Sequence, residues 1–227
     1  MEYRYELHMH SREASLCAQS SIHDMIRRYA EMGFAGGVIT QHFFRGNTSI
    51  DRYLPWEDFV DQYSRGYYDG QETAAKLGFH LLFGVEEGYG CGKEFLAYGF
   101  EPEFLKEHSQ LRNAPVAAWS QAVHGVGGVL IYAHPFRTRS YISDPNGIPD
   151  MAFADGVELY NRGNSPQDNQ KAVEVFGRMN CIFTAGSDTH SAQFSDPYGI
   201  RLPYEVHTSA ELAAALKRND HSLIFHR

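Results

Sequence analysis

The sequence predicts an α/β protein in which seven or so strands alternate with helices and close, or nearly close, into a barrel. Three observations carry this. Apolar runs of strand length recur with helical patterns between them, which implies a largely parallel sheet. The run Phe79–Val85 is nearly all apolar, as a strand buried on both faces should be. Nearly every strand pattern also closes on an imidazole or carboxylate, and in barrels of this type functional groups gather at the C-terminal strand ends.

The elements run in order along the chain. Strand one is predicted over Tyr3–His8. A helix comes next, capped by Ser20 or Ser21, with an apolar face at Ile22, Met25, Ile26, Tyr29 and Ala30 and a stop at Gly33. Strand two is Gly37–Thr40. A polar connection leads to a helix from Pro55–Trp56 to Leu77, ended by Gly78. Strand three is Phe79–Val85 and strand four Glu94–Tyr98. A helix over Pro115–His124 precedes strand five, Val129–Ala133. The segment Phe136–Met151 is rich in Pro, Gly, Asn and Asp and reads as a loop. Strand six (Gly156–Leu159), a helix over Pro166–Arg178 and strand seven (Cys181–Ala185) complete the series. Beyond them lie an extended piece at Gly199–Leu202, a helix over Thr208–Lys217 and a last extended piece at Ser222–Phe225.

Composition narrows the function. The 227 residues fit a single domain, 1–227, with no internal repeat or linker. A hydrophobic fraction of 43% excludes a disordered chain. The formal charge of −8 weighs against nucleic acid or an anionic membrane as the main partner. No apolar stretch approaches the roughly 18 residues of a spanning helix, and Met1-Glu2-Tyr3-Arg4-Tyr5 lacks a signal-peptide pattern. Cys17, Cys91 and Cys181, odd in number and widely spaced, read as reduced thiols of a cytoplasmic protein.

The chemistry lies at the strand ends. His8 and His10 stand two apart in a strand and share a face, with roots about 7 Å apart. Strand two ends in Thr40-Gln41-His42, strand three in Gly84-Val85-Glu86-Glu87, and strand five in Tyr132-Ala133-His134-Pro135. Strand six ends in Glu158, Tyr160 and Asn161, and strand seven in Gly186-Ser187-Asp188-Thr189-His190. Imidazole and carboxylate without thiolate suit Zn²⁺, Mn²⁺ or Fe²⁺. Any one of these motifs is weak, since a lone histidine after a strand is more often an ordinary core or surface residue. The ordered set is the signal. His23, His80, His108, His124, His207, His221 and His226 show no such placement and read as ordinary histidines.

Five segments together resemble the PHP (polymerase and histidinol phosphatase) domain family of metal-dependent phosphoesterases. They are Glu6-Leu7-His8-Met9-His10-Ser11, Ile39-Thr40-Gln41-His42, Gly84-Val85-Glu86, Tyr132-Ala133-His134-Pro135 and Gly186-Ser187-Asp188-Thr189-His190. The resemblance implies a distorted seven-stranded (β/α) TIM-like barrel and two or three divalent metal ions. It places one ion on His8, His10, Glu86 and Asp188. A second would share Glu86 and add His134 and Glu94, which stands where many members have histidine. A third would use His42 and His190 with an Asp or His near Ser15 or Leu16. This chain has neither there, although Glu13 and Cys17 lie nearby. Gln41 also stands where Asp is usual and cannot supply a negative charge behind the ligands.

The expected activity is hydrolysis of a phosphate ester on a small phosphorylated metabolite, by a hydroxide bridging two cations about 3.5–4 Å apart. Arg137 and Arg162 would bind phosphate as bidentate forks, with Arg12, Arg45 and Arg139 as weaker candidates. Asp188 or His190 would protonate the leaving group. The loops Gln41–Trp56, Glu87–Lys93 and Thr138–Asp150 are expected to wall the pocket, with Phe44, Tyr89, Tyr141 and Tyr160 as candidate flanks for a base or sugar. Two rivals remain. An amidohydrolase shares His-x-His and a late Asp, but this chain offers no plausible bridging lysine. A metal-stabilised accessory domain without catalysis is disfavoured by the intact histidines.

Overall fold

The computed structural model describes residues 2–226. Nine strands and six helices are present among them. The strands are β1 (Tyr3–Met9), β2 (Gly36–His42), β3 (His80–Gly90), β4 (Lys93–Tyr98), β5 (Val129–Tyr132), β6 (Gly156–Asn161), β7 (Ile182–Gly186), β8 (Gly199–Leu202) and β9 (Ser222–Ile224). The helices are α1 (Ile22–Glu31), α2 (Trp56–Leu77), α3 (Pro102–Glu107), α4 (Val116–Gly125), α5 (Pro166–Phe176) and α6 (Ser209–Arg218).

The strands form one sheet in the order β7-β6-β5-β4-β3-β2-β1-β8-β9. It curls until β7 meets β1. The Asp188 N–H donates to His8 O at 2.7 Å, the His10 N–H donates to Thr189 O at 2.9 Å, and Met9 bridges Thr189 in parallel. The result is a nearly closed mixed barrel, not a ring of seven parallel strands. Two features differ from the expectation. β3 and β4 form an antiparallel hairpin, and β4 also runs antiparallel to β5. β8 and β9 add an antiparallel flank beside β1.

The hairpin matters for the site. β3 continues through Glu86–Gly90 where a pocket loop is expected, because its polar residues and glycines pair across to β4 (Glu86 with Leu96, Gly88 with Glu94). Since β4 runs backwards, its first residues, not its last, reach the rim where the parallel strands end. That reversal brings Glu94 to the same edge as Glu86 and His134.

Helix formation reflects local chemistry. Ser21 caps α1, its side chain accepting from the Asp24 N–H. α2 stops at Gly78, which takes φ +63° without the Cβ penalty. Ser165 and Asp168 close a reciprocal capping box on α5. α3 is not anticipated, since six residues are too few to show a helical period. The core has two main parts. One packs Met25, Tyr29, Phe59, Tyr63 and Trp119 of the outer helices against the sheet. The other joins Tyr5, Leu7, Val38 and Leu82 to Leu212 and Leu216 of α6. No helix of the described residues is long and apolar enough to cross a membrane.

Candidate metal centre

The ends of β1, β2 and β3, the start of β4 and the segments just after β5 and β7 deliver side chains to one rim. Glu86, at the middle of the rim, is almost fully buried. Its Oε1 lies 3.1 Å from His8 Nε2 and 3.1 Å from His134 Nε2. Its Oε2 lies 2.8 Å from His42 Nδ1 and 3.3 Å from His10 Nε2. Asp188 Oδ1 lies 3.4 Å from His8 Nε2 and 3.2 Å from His10 Nε2. Glu94 reaches His42 Nδ1 at 3.3 Å and His134 Nε2 at 3.6 Å. His190 stacks on His10 with ring centroids 4.3 Å apart. The eight ligand candidates read from the sequence are thus brought together: His8, His10, His42, Glu86, Glu94, His134, Asp188 and His190. Glu94 lies nearer His42 than the His134 it was expected to join.

These approaches are short, yet several are not hydrogen bonds. His8 Nε2, His10 Nε2, His42 Nδ1 and Glu86 Oε2 are buried and have no hydrogen-bond partner. Orphaned buried polar atoms are costly. Four of them converging on one point, all able to offer lone pairs, are what a divalent cation satisfies. The donor set therefore fits divalent metal ions.

The opposite ring nitrogens are held from behind. Glu158 Oε1 sits 3.1 Å from His8 Nδ1 and fixes that nitrogen as the protonated one, leaving the Nε2 lone pair for the cluster. Ser15 Oγ does the same for His10 Nδ1 at 3.1 Å and donates its own hydrogen bond to Gln41 Oε1 at 2.6 Å. Gln41 thus acts through Ser15, with an amide dipole in place of a charge. His190 Nδ1 donates to the Asp188 carbonyl at 3.0 Å. Glu6 accepts the backbone N–H groups of His8 and Ser187 and the Tyr29 hydroxyl, and burial pushes its carboxyl up to about 7. The sequence marked Glu158 as a strand end without a role, and left Glu6 and Ser15 with none.

Close approach constrains the backbone too. A Cβ on Gly186 would lie 2.4 Å from Glu158 Oε1 and 2.6 Å from His8 Cβ, so β7 can pass beneath them only as glycine. His134 and Asp188 hold positive φ, +29° and +52°. Such strain in non-glycine residues persists where the surroundings over-determine it, typically at functional sites.

Charge is set by this geometry. Burial opposes ionisation of Glu86, but His8 and His42 hold its carboxyl well below the usual range. Burial likewise opposes the Asp188 charge, which Arg137 and His8 hold in place. Both acids are therefore ionised, the form a cation requires. In that form Asp188 can ligate a cation while accepting from Arg137. Glu87 is buried as well, not solvated; its Oε1 accepts the Gly88 and Arg45 N–H groups, and burial raises its carboxyl to about 8.

A cavity of about 610 Å³ opens over the cluster, lined by His42, Glu94, Asp188 and His190 together with Arg45, Lys93, Arg137 and Tyr141. Arg137 is buried and pinned by Asn161, Asn164 and Asp188. Arg162 is exposed and does not line the cavity, so the structure separates the two arginines the sequence paired. Phe44 packs on Phe59, Tyr89 on Tyr132, and Tyr160 stacks on Phe225 at 3.7 Å. Of the four aromatic candidates, Tyr141 alone lines this cavity.

No family model matches the sequence, and no curated protein matches it. Solved structures do. A two-domain protein from Bacteroides vulgatus, described as containing a predicted PHP-like metal-dependent phosphoesterase, superposes with TM-score 0.71 at 15% identity over 100% of this chain and 65% of its own. This chain has the PHP-type fold. It spans a little under two thirds of that larger protein. An amidohydrolase from Chromobacterium violaceum with bound sulfate and no metal aligns at TM-score 0.56 and 16% identity, over 82% of this chain and 87% of its own. A lesion-specific endonuclease from Pyrococcus furiosus aligns at TM-score 0.66 and 13% identity, over 98% of this chain and 58% of its own.

Proposed function

We propose that the protein is a metal-dependent phosphoesterase acting on a small phosphorylated metabolite. The carrying observation is the ring of orphaned lone pairs around Glu86 with the Arg137 guanidinium at its edge. Two or three divalent ions held by His8, His10, His42, Glu86, Glu94, His134, Asp188 and His190 would supply Lewis-acid polarisation of the ester and an activated water. The chain's own groups do the remainder. Arg137 is oriented by Asn161 and Asn164 and presents a fixed cation to the phosphoryl oxygens, where Arg–phosphate recognition is strongest. His190, on the cavity wall, has Nδ1 committed to the Asp188 carbonyl, so Nε2 is the atom it offers to the cavity. That nitrogen serves as a ligand or, with its ion site empty, as the group that exchanges a proton with the leaving oxygen. A cavity of about 610 Å³ suits a monoester of metabolite size, and Lys93 and Arg45 among its lining residues suit a second anionic group.

The endonuclease neighbour keeps a nucleic-acid substrate in view despite the net charge of −8. The test is a side-by-side assay of purified protein with added Mn²⁺ or Zn²⁺ on p-nitrophenyl phosphate, phosphorylated metabolites, lesion-bearing oligonucleotides, and amide or lactone substrates. Turnover of the phosphomonoesters is expected. Turnover confined to amides or lactones would assign the amidohydrolase reading, and turnover confined to oligonucleotides the nuclease one. Bound metal without any turnover would leave an accessory domain.

A further inference from the structure

We infer that Tyr141 selects the alcohol half of the substrate, favouring phosphomonoesters whose alcohol carries a planar aromatic group. The inference rests on the phosphoesterase reading of the rim and extends it from the phosphoryl group to what that group is attached to.

The cavity over the cluster is polar on nearly all sides. Its ligand candidates and the cations Arg45, Lys93 and Arg137 engage charge, and none of them suits an uncharged organic remainder. The β3–β4 hairpin adds Gly88, Gly90 and Gly92, which line the cavity with backbone alone. Tyr141 is the one aromatic carbocycle among the lining residues.

Its place is fixed by the backbone around it. The ring-bearing residue is 58% exposed, whereas the next one, Ile142, is buried at 7% and anchors the loop after β5. Ahead of Tyr141, Thr138 Oγ1 donates to Asp168 Oδ1 at 2.8 Å. Behind it, the Ile142 N–H donates to Arg139 O at 3.0 Å and the Ser143 N–H to Cys91 O, at the hairpin tip, at 3.1 Å. Lys93 Nζ donates to Gly147 O and ties the far part of the loop to the same hairpin. Gly92 seats the contact. A Cβ there would lie 2.6 Å from Tyr141 O and 3.1 Å from Ile142 Cα, so the loop can lie this close only against glycine. The hairpin that carries Glu86 and Glu94 to the rim therefore also sets where Tyr141 stands relative to them.

A side chain presented from a tied loop loses little freedom when a ligand meets it, so more of the contact survives as affinity. A tyrosine ring offers wide area with few rotatable bonds. A saturated group placed against it gains burial alone. A second ring gains in addition about two- to tenfold from offset or edge-to-face geometry.

The test compares benzyl phosphate with cyclohexylmethyl phosphate on the whole protein with added Mn²⁺ or Zn²⁺. The two esters match in size and both leave as primary alcohols, so they differ chiefly in the π face. The benzyl ester is expected to have the higher kcat/KM, by about two- to tenfold. Tyr141→Leu should bring the ratio close to one, while Tyr141→Phe and Tyr141→Trp should keep it. Because the residue is exposed, these substitutions spare the core. A parent ratio near one, or a ratio that Tyr141→Leu leaves unchanged, overturns this inference and leaves the phosphoesterase reading standing. Turnover of other phosphomonoesters but of neither member of this pair does the same. Turnover of no phosphomonoester at all overturns both.

Discussion

One strand carries two clusters of potential ligands at its opposite ends, and they differ in kind. β3 begins at His80, whose Nδ1 lies 3.3 Å from His207 Nδ1 and whose Nε2 lies 4.0 Å from Glu205. At its other end the same strand offers Glu86 to the rim. By proximity alone both groups would hold a cation. The lower group is half-buried to exposed, its two facing nitrogens can share a proton, and none of its atoms is left orphaned. The rim group is buried, its lone pairs converge unsatisfied, and Glu158, Ser15 and Gln41 fix its rings from behind. Closeness does not make a metal site; burial, unmet valence and supporting partners do.

The sharpest way to break that contrast is Glu86→Gln. Losing the carboxylate shared by four imidazoles removes several kcal/mol of Lewis-acid stabilisation, or roughly 10³-fold in rate at about 1.36 kcal/mol per decade, and lowers metal content. Retained activity with full metal would break the rim reading. Next is Arg137→Ala, expected to lower kcat/KM about 10²-fold while metal is retained; Lys at this place should recover only part, since the fork is lost. A purely structural Arg137 would change melting temperature without this kinetic split. Glu158→Gln should weaken metal binding by about 10–100-fold through His8 alone, read by competition with a chelating dye.

The lower group should give the smallest effects. His80→Gln is expected to leave turnover and rim metal content unchanged. Burial and the neighbouring His207 lower the His80 pKa. A depressed base contributes stability that is present above its unfolded value near 6.5 and is lost as pH falls through its folded value. Unfolding midpoints measured from pH 8 down to 5 should therefore decline slightly less steeply in His80→Gln than in the parent. An equal decline removes His80 as a titrating contributor.

How much of this could be read in the sequence depended on whether a residue closed an apolar run. His8, His42, Glu86, His134 and Asp188 do, and hydrophobic patterning locates them. Glu94 opens its strand, so its arrival at the rim depends on the antiparallel turn, which the glycine-rich Glu87–Gly92 stretch disguised as a loop. Arg137 and Arg162 look alike in sequence, each a few residues past a strand end. The register shift in β6 between Glu158 and Tyr160 re-aims the residues beyond it, and no local pattern announces it. Glu6 and Ser15 were invisible because each links a nearby histidine to a partner more than 20 residues away, Glu6 to Tyr29 and Ser15 to Gln41, and no local pattern marks such a link.

The seam where β7 meets β1 has a temporal consequence. Asp188 and His190 reach His8 and His10 only because the sheet curls fully round, so ligands separated by most of the chain belong to a single cluster. During synthesis the first pair of imidazoles emerges long before the carboxylate that completes their site. Contacts of such wide separation form late in folding. Until the seam zips shut, the early histidines offer a passing ion only a weak, two-toothed grip. The finished centre therefore reports on the barrel as a whole: a chain that holds its metals is one whose first and last barrel strands have met.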